Sequence, residues 1–346
     1  MRFDMLAIVG ACVTVLLCGC GASVDQLQPG GGSDRRPTIG GGYGSSAGAV
    51  ATKDATAAQV IFQGWRAVQL SNGLVTVTVV PDLGGRIMQY NLGEHPFLWT
   101  NPDEYGKLYE PPKTAAERKW HNFGGYKVWP APQSQWGGPP DPLGSTLDGG
   151  RWTAKILKAS GEAAVVEVTS PPDPQVTGLQ IVRRVTLRPG TTELEVRETF
   201  RNVSQREITW SIWDVTQVPG ALRGDGQPSR EARVYLPLNP KSTFKDGYQH
   251  LIADPTDQWT VINDGKLLQT SYGGQTGKIG ADSVDGWIAY VDELHKMAFA
   301  KTFEVTPGAT YPDQGSTGKS TPPRLTRRTW RSKSSRPCRP WRLAQR

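Results

Sequence analysis

From Val60 to Phe303 the chain offers short runs of β-type residues and no stretch with the period of an amphipathic helix. The runs are Trp65 to Leu70, Leu74 to Val80, Phe97 to Trp99, Trp152 to Ala159, Ala163 to Ser170, Leu179 to Leu187, Thr192 to Asn202, Glu207 to Val218, Arg233 to Leu238, Trp259 to Asn263, Gly286 to Asp292 and Met297 to Phe303. Breaks such as Ser160-Gly161-Glu162, Pro171-Pro172-Asp173-Pro174 and Pro189-Gly190 part them. Many short strands at spacings of about 8 to 15 residues predict an all-β fold, a large antiparallel sandwich or barrel. From Thr192 to Phe200 the period is two, with Leu194, Val196 and, less cleanly, Phe200 set against charged neighbours, so one face is wet. Asn72-Gly73 lies between two runs and supplies the positive φ angles of a tight hairpin turn.

What precedes this region has a different chemistry. Arg2, an apolar run from Met5 to Leu17 and Cys18-Gly19-Cys20 read as an export signal over residues 1–19, too short for a membrane span, and Leu17 to Cys20 resembles a bacterial lipobox. The expectation is cleavage before Cys20 and lipidation of that cysteine, so that the membrane is a partner through an N-terminal anchor at the cell envelope. Residues 20–58 are rich in Gly, Ser, Ala, Thr and Asp and read as a flexible tether. The four cysteines are Cys12, Cys18, Cys20 and Cys338, which excludes a disulfide framework or a thiolate metal site from the folded region between them. No His, Asp and Glu cluster has ligand-like spacing either, and the expectation is no metal and no cofactor.

The net charge of +7 is a property of the C-terminal end. Ten of the 39 Lys and Arg lie from Ser316 to Arg346 with no acid among them, leaving 29 bases against 32 acids elsewhere. The body is nearly neutral, which argues against a nucleic-acid partner.

One stretch carries most of the candidate chemistry. Trp120 to Trp136, WHNFGGYKVWPAPQSQW, holds three Trp, one Tyr, one His, one Lys, one Asn, two Gln and two X-Pro steps, and the prolines predict a loop. Flat indole faces beside amide, imidazole and ammonium groups suit a pyranose, which offers an apolar C–H face and a rim of hydroxyls. Trp120, Trp129 and Trp136 are candidate stacking surfaces, with core packing as the competing reading. Asn122, Lys127 and Gln133 are candidate hydroxyl partners, and His121 is the one histidine placed for a site, since His95, His250 and His295 sit in turns and polar loops. Upstream, Gly84-Gly85 at a turn into the strand Ile87 to Tyr90 permits close backbone approach and leaves Arg86 at its mouth, either as a substrate contact or as a solvated strand-end charge.

Several blocks resemble an uncharacterised bacterial family of the galactose-mutarotase-like superfamily: Pro81 to Ile87, Asn122 to Gln133, Trp210 to Gln217, Lys278 with Gly286 to Tyr290, and Tyr311 to Gly315. The resemblance spans roughly Val60 to Gly315 and places the domain at residues 59–315. It implies a β-supersandwich with a sugar-binding concave face and a sugar or polysaccharide as partner. In true aldose 1-epimerases of that superfamily a carboxylate base and a His acid open the ring, with a second His and an Arg holding the sugar. Phe303-Glu304 ahead of Tyr311-Pro312-Asp313 is similar to the epimerase base region, so the resemblance implies Glu304 as base with His121 as acid, and Asp214 and Asp313 as competing carboxylates that contact the sugar. The strand that carries a His in the epimerases corresponds to Ser211 to Gln217, which has none. Carbohydrate binding is therefore the first expectation and epimerase-type catalysis the second.

The tail breaks the pattern. Residues 316–346 are Arg, Pro, Ser and Trp with no period. Written with GC-rich codons and shifted by two bases, Gly318 to Ala344 reads EVYTPPAHPADLEVEVLTPLPALAPG, which alternates as strands do. The expectation is a frameshift at about Thr317 or Gly318, against a disordered basic tail.

Overall fold

The chain enters its first sandwich strand at Ala55, four residues before the domain expected from the sequence. The alanines read as tether are strand residues because Ala55 and Ala57 are small enough to lie buried against the next strand, in a hairpin that pairs Thr56 with Ser71 and Phe62 with Trp65. The computed structural model describes residues 12–19, 54–110, 119–136, 146–220, 231–252, 258–271, 275 and 277–320. Cys20, most of the expected tether and residues 321–346 of the tail lie outside the described residues.

In chain order the strands are β1 (Cys12–Gly19), β2 (Ala55–Phe62), β3 (Trp65–Ser71), β4 (Val75–Val80), β5 (Arg86–Leu92), β6 (His95–Pro96) and β7 (Tyr126–Ala131). There follow β8 (Thr153–Lys158), β9 (Ser160–Gly161), β10 (Ala164–Thr169), β11 (Leu179–Leu187), β12 (Leu194–Asn202), β13 (Ser211–Thr216) and β14 (Ala232–Pro237). The last are β15 (Gln249–Ile252), β16 (Trp259–Ile262), β17 (Leu267–Ser271), β18 (Lys278–Ala281), β19 (Trp287–Asp292), β20 (Met297–Phe303) and β21 (Gly318–Ser320). They form a ten-stranded sheet in the order β16-β17-β14-β19-β20-β1-β12-β11-β10-β8 and an eight-stranded sheet in the order β13-β7-β5-β4-β3-β2-β9, with β6 beside β5. A three-stranded sheet, β15-β18-β21, completes the set. Every paired strand runs antiparallel to its neighbours. One apolar core joins the two large sheets, with Val68, Leu70, Val77 and Tyr90 from the smaller meeting Val166, Ile181, Val185 and Val196 from the larger.

Several expectations are corrected here. Trp120 to Trp136 is not all loop: Tyr126–Ala131 is a strand, buried at all six residues. Pro130 is tolerated because β5 meets β7 only at Ile87 and Tyr126, so the rest of β7 carries a ladder on one side, against β13. The turn leading into it depends on Gly124 at φ 91°, where a Cβ would come 2.2 Å from the Trp99 carbonyl oxygen. Phe97 to Trp99 is no strand; Phe97 leaves the sheet to stack on Phe299, ring centroids 5.7 Å apart, and the strand is the short His95–Pro96. In the Asn72-Gly73 turn only Gly73 has positive φ, while buried Asn72 accepts from the amides of Leu74 and Val75 and donates to the carbonyls of Arg188 and Thr191. The fold also continues past Gly315, since Gly318–Ser320 pair with β18.

Alternation on β12 points Leu194, Val196, Glu198 and Phe200 inward, so Glu198, counted above among the charges of the wet face, stands in the core at 1% exposure. Arg183, directly opposite on β11, donates from Nε to Glu198 Oε1 at 2.5 Å. Its Nη1 donates to the Gly85 carbonyl, and the Tyr126 hydroxyl donates to Glu198 at 3.1 Å, so the pair ties the ten-stranded sheet to β7 and to the turn before β5. Breaking such a pair strands a charge in a dry core, which costs about 3–5 kcal/mol. Glu198→Ala should lower unfolding stability by about that amount in urea titration, and a loss below 1 kcal/mol would show that the core tolerates Arg183 alone.

Candidate functional site

Period-two alternation gives β7 and β13 two different faces. Tyr126 and Val128 face the core between the sheets, while Lys127 and Trp129 face the other way, with Trp213 and Val215 beside them in register. On that outer face Trp129 meets Trp136 edge to face at 5.1 Å and Trp213 at 5.5 Å. The Trp129 indole donates to Asp148 Oδ1 at 2.6 Å and that of Trp136 to the Pro130 carbonyl at 2.8 Å. Both indoles are therefore core elements, 1% and 6% exposed, and neither presents a free face for stacking as expected. The faces that reach solvent belong to half-buried Trp120 and Trp213.

Arg86 is likewise not at a mouth. Fully buried, it donates from Nη2 to Asp148 Oδ1 at 2.7 Å and from Nη1 to the Gly124 carbonyl at 3.3 Å. Burial pushes the Asp148 carboxyl up, but Arg86, Lys127 and the hydrogen bonds from Trp129 and Arg86 outweigh it and hold Asp148 below the usual carboxylate range. Lys127, 1% exposed, sets its ammonium 4.0 Å from the Trp129 ring centre and 5.0 Å from that of Trp120, a cation held between two indoles.

Beside Lys127 is a residue that the sequence reading passed over. Gln217 extends the β13 ladder one step, its amide donating to the Gly125 carbonyl at 3.0 Å and its carbonyl accepting from Trp99 at 2.9 Å. Alternation puts its side chain on the face of Val215 and Trp213, opposite a glycine that leaves room. It is fully buried, yet neither its side-chain oxygen nor its nitrogen has a hydrogen-bond partner among the described residues. The same holds for Asn122 Oδ1 and Arg86 Nε, so three side chains around the Asn122 to Gly125 turn carry unmet hydrogen-bonding capacity. Native cores rarely leave such groups unmet, because each costs about 1–3 kcal/mol.

The other candidates disperse. His121 lies next to this turn, its ring stacked on Tyr109 and its Nδ1 3.6 Å from Glu104 Oε1. Glu304 is exposed and lines a groove of about 420 Å³ with Asp285, Trp287, Thr302 and Phe303, sharing none of the His121 contacts. Asp214 points to the core side of β13 and pairs with Lys301 at 2.9 Å, and Gln133 begins a short 3₁₀ turn after β7. Asp313 pairs with Lys319 at 2.5 Å, in a turn where Asp313 and Gln314 both have positive φ. Lys319 and Lys278 lie 5.1 and 4.5 Å from the centre of the Trp213 ring, extending the outer face into the three-stranded sheet. Among the described residues no cluster of His, Cys, Asp and Glu could hold a metal ion, and no helix is long and apolar enough to cross a membrane.

Burial, and then Lys319, depress the Lys278 ammonium to about 8, against a smaller opposing pull from Asp313. The folded chain thus holds Lys278 less protonated than the unfolded chain, whose value is the ordinary 10.5, so stability rises with pH between the two. Relative to Lys278→Met, the wild type should gain stability from pH 8 to about 9.5 in urea titrations; a constant difference between the two would place the ammonium in water.

Residues 66–317 match a family described as DUF4380, a domain of unknown function. No curated protein matches the chain. Among solved structures it is similar to a galactose mutarotase-like protein from Clostridium acetobutylicum, at 13% identity and TM-score 0.44, over 78% of this chain and 95% of that one. A galactose mutarotase-like protein from Lactobacillus casei is 9% identical with TM-score 0.40, covering 74% of this chain and 95% of that one. The Slr1438 protein from Synechocystis is 12% identical with TM-score 0.40, covering 76% and 96%.

Proposed function

The chain belongs to the DUF4380 family, and we propose that it is a sugar-binding protein, exported and held at the membrane by an acyl chain on Cys20. The observation that supports this most is the buried side-chain amide of Gln217, without a hydrogen-bond partner among the described residues. Around the same turn lie Asn122 Oδ1 and Arg86 Nε, and Lys127 carries its ammonium between two indoles. A hydroxyl both donates and accepts, and a primary amide offers both in return, so a polyol satisfies this set better than an anion or an apolar ligand. The half-buried indoles of Trp120 and Trp213 supply apolar surface for the sugar's C–H face.

Acid–base catalysis is the second reading. It rests on His121, beside Asn122 and 3.6 Å from the Glu104 carboxylate, rather than on a Glu304 partnership.

Tryptophan fluorescence should report saturable binding when the protein is titrated with a panel of hexoses, pentoses and short oligosaccharides. Gln217→Leu should weaken that binding by about tenfold and at the same time raise the melting temperature of the free protein, because it removes a buried polar group with unmet bonds. A variant that binds normally, or melts lower, would remove Gln217 from the site. Polarimetry of freshly dissolved glucose and galactose decides between the two readings: binding without faster mutarotation retires catalysis on those sugars.

A further inference from the structure

Strand β1 joins two halves of the ten-stranded sheet. Val13 to Gly19 pair with Phe303 to Met297 of β20, and Cys12 to Val15 with Arg197 to Leu194 of β12, antiparallel on both sides. In the sheet order β20 and β12 are connected only through β1. Yet these eight residues lie inside the leader that the sequence marks for removal before Cys20. An exported chain would lose its central strand and leave two facing edges of open N–H and C=O groups through the middle of a sheet that lines the core.

The occupant that belongs there can be specified. It needs about seven residues to span Met297 to Phe303, must run antiparallel to both neighbours, and must alternate in polarity, since β12 has one dry and one wet face. On the wet face beside the slot, Arg184, Arg188, Arg197 and Arg201 stand with two acids, Glu167 and Glu195, and Glu195 is already engaged by Arg188 at 3.1 Å, so an acid is the favoured cross-strand partner of Arg197 there. From Thr321 to Arg346 the tail as written carries four Pro, nine Lys or Arg and no acid, the wrong residues on every count. With AGG written for Arg331, AAG for Lys333 and a third-place G for Arg328 and Ser332, the reading shifted by two bases can contain DLEVEVL, seven residues with Leu, Val and Val alternating with acids. The family match stops at residue 317, where that reading departs from the written one.

We propose that the slot between β12 and β20 is the seat of this shifted-frame strand, and that the leader strand β1 occupies it in the chain as written. The inference is independent of sugar binding. Three chains test it: the full chain, the chain from Cys20 with its written tail, and the chain from Cys20 with the shifted-frame sequence after Thr317. Amide hydrogen exchange is read at Leu194 to Arg197 and Met297 to Phe303, together with the melting temperature.

The restored chain should protect both segments and melt about 5 °C or more above the chain from Cys20 with its written tail. A synthetic ADLEVEVLTPL peptide should bind that written-tail chain one to one and leave the full chain unbound, while the same peptide with Pro at its central Val should bind neither. If the written-tail chain does not fold, exchange in the restored chain decides alone. Unprotected Met297 to Phe303 amides in the restored chain, equal protection in the written-tail chain, or an exported protein that retains its leader would each overturn the proposal.

Discussion

The Arg183–Glu198 pair is the interaction on which the arrangement of the two large sheets depends. A carboxylate and a guanidinium in a dry core need hydrogen bonds beyond their own contact, and here the partners come from the opposite sheet: the Gly85 carbonyl for Arg183 and the Tyr126 hydroxyl for Glu198, while Arg183 Nη2 and Glu198 Oε2 have no hydrogen-bond partner among the described residues. The demand fixes the facing backbone. Gly85 must bring its carbonyl within reach of Arg183 while passing the Trp152 ring, and a Cβ at this position would come 2.5 Å from that ring. Burial still pushes the Glu198 carboxyl up, in spite of Arg183 and its other hydrogen bonds, which marks the core as strongly desolvating.

The residues that answer Glu198 and Arg183 are the immediate neighbours of those that build the candidate site. Gly85 is followed by Arg86, and Tyr126 by Lys127; in each pair the first serves the core and the second turns to the outer face. Strand alternation thus couples two buried polar networks through single peptide bonds, one between the sheets and one around Asp148. Positional accuracy at Lys127 and Arg86 is inherited from the ion pair behind them. On the outer face the same logic continues through Trp129, whose indole is fixed by Asp148 and in turn fixes Trp136 and Trp213.

Fold class was legible because the β signal is local: runs such as Leu179 to Leu187 and Met297 to Phe303 carry it within themselves, and the structure places strands there. Tyr126–Ala131 was hidden because Pro130 is incompatible with a strand paired on both sides, and the sequence does not show that β7 lacks a neighbour for most of its length. Lys278–Ala281 and Gly318–Ser320 are too short to show a period, and Glu198 reads as a surface acid until Arg183 is known to lie opposite it. In the site, the aromatic and amide character of Trp120 to Trp136 was visible, but which indoles are buried follows from partners far along the chain, Asp148 for Trp129 and β13 for the rest. Gln217 lay inside the Trp210 to Gln217 block; the signal that singles it out is burial without partners, a property of the fold and absent from the residue's letter.

The contact between Trp129, Trp136 and Trp213 has an optical consequence. Indoles 5.1 to 6.2 Å apart exchange excitation far faster than they emit, so the three share one excited state rather than reporting three environments. Light absorbed anywhere in the cluster drains to its lowest-energy member, and the ammoniums of Lys278 and Lys319 at Trp213 and of Lys127 at Trp129 give those two indoles an electrostatic setting unlike that of Trp136. The chain therefore carries a built-in chromophore where its eight-stranded and three-stranded sheets meet, sensitive to whatever approaches those lysines.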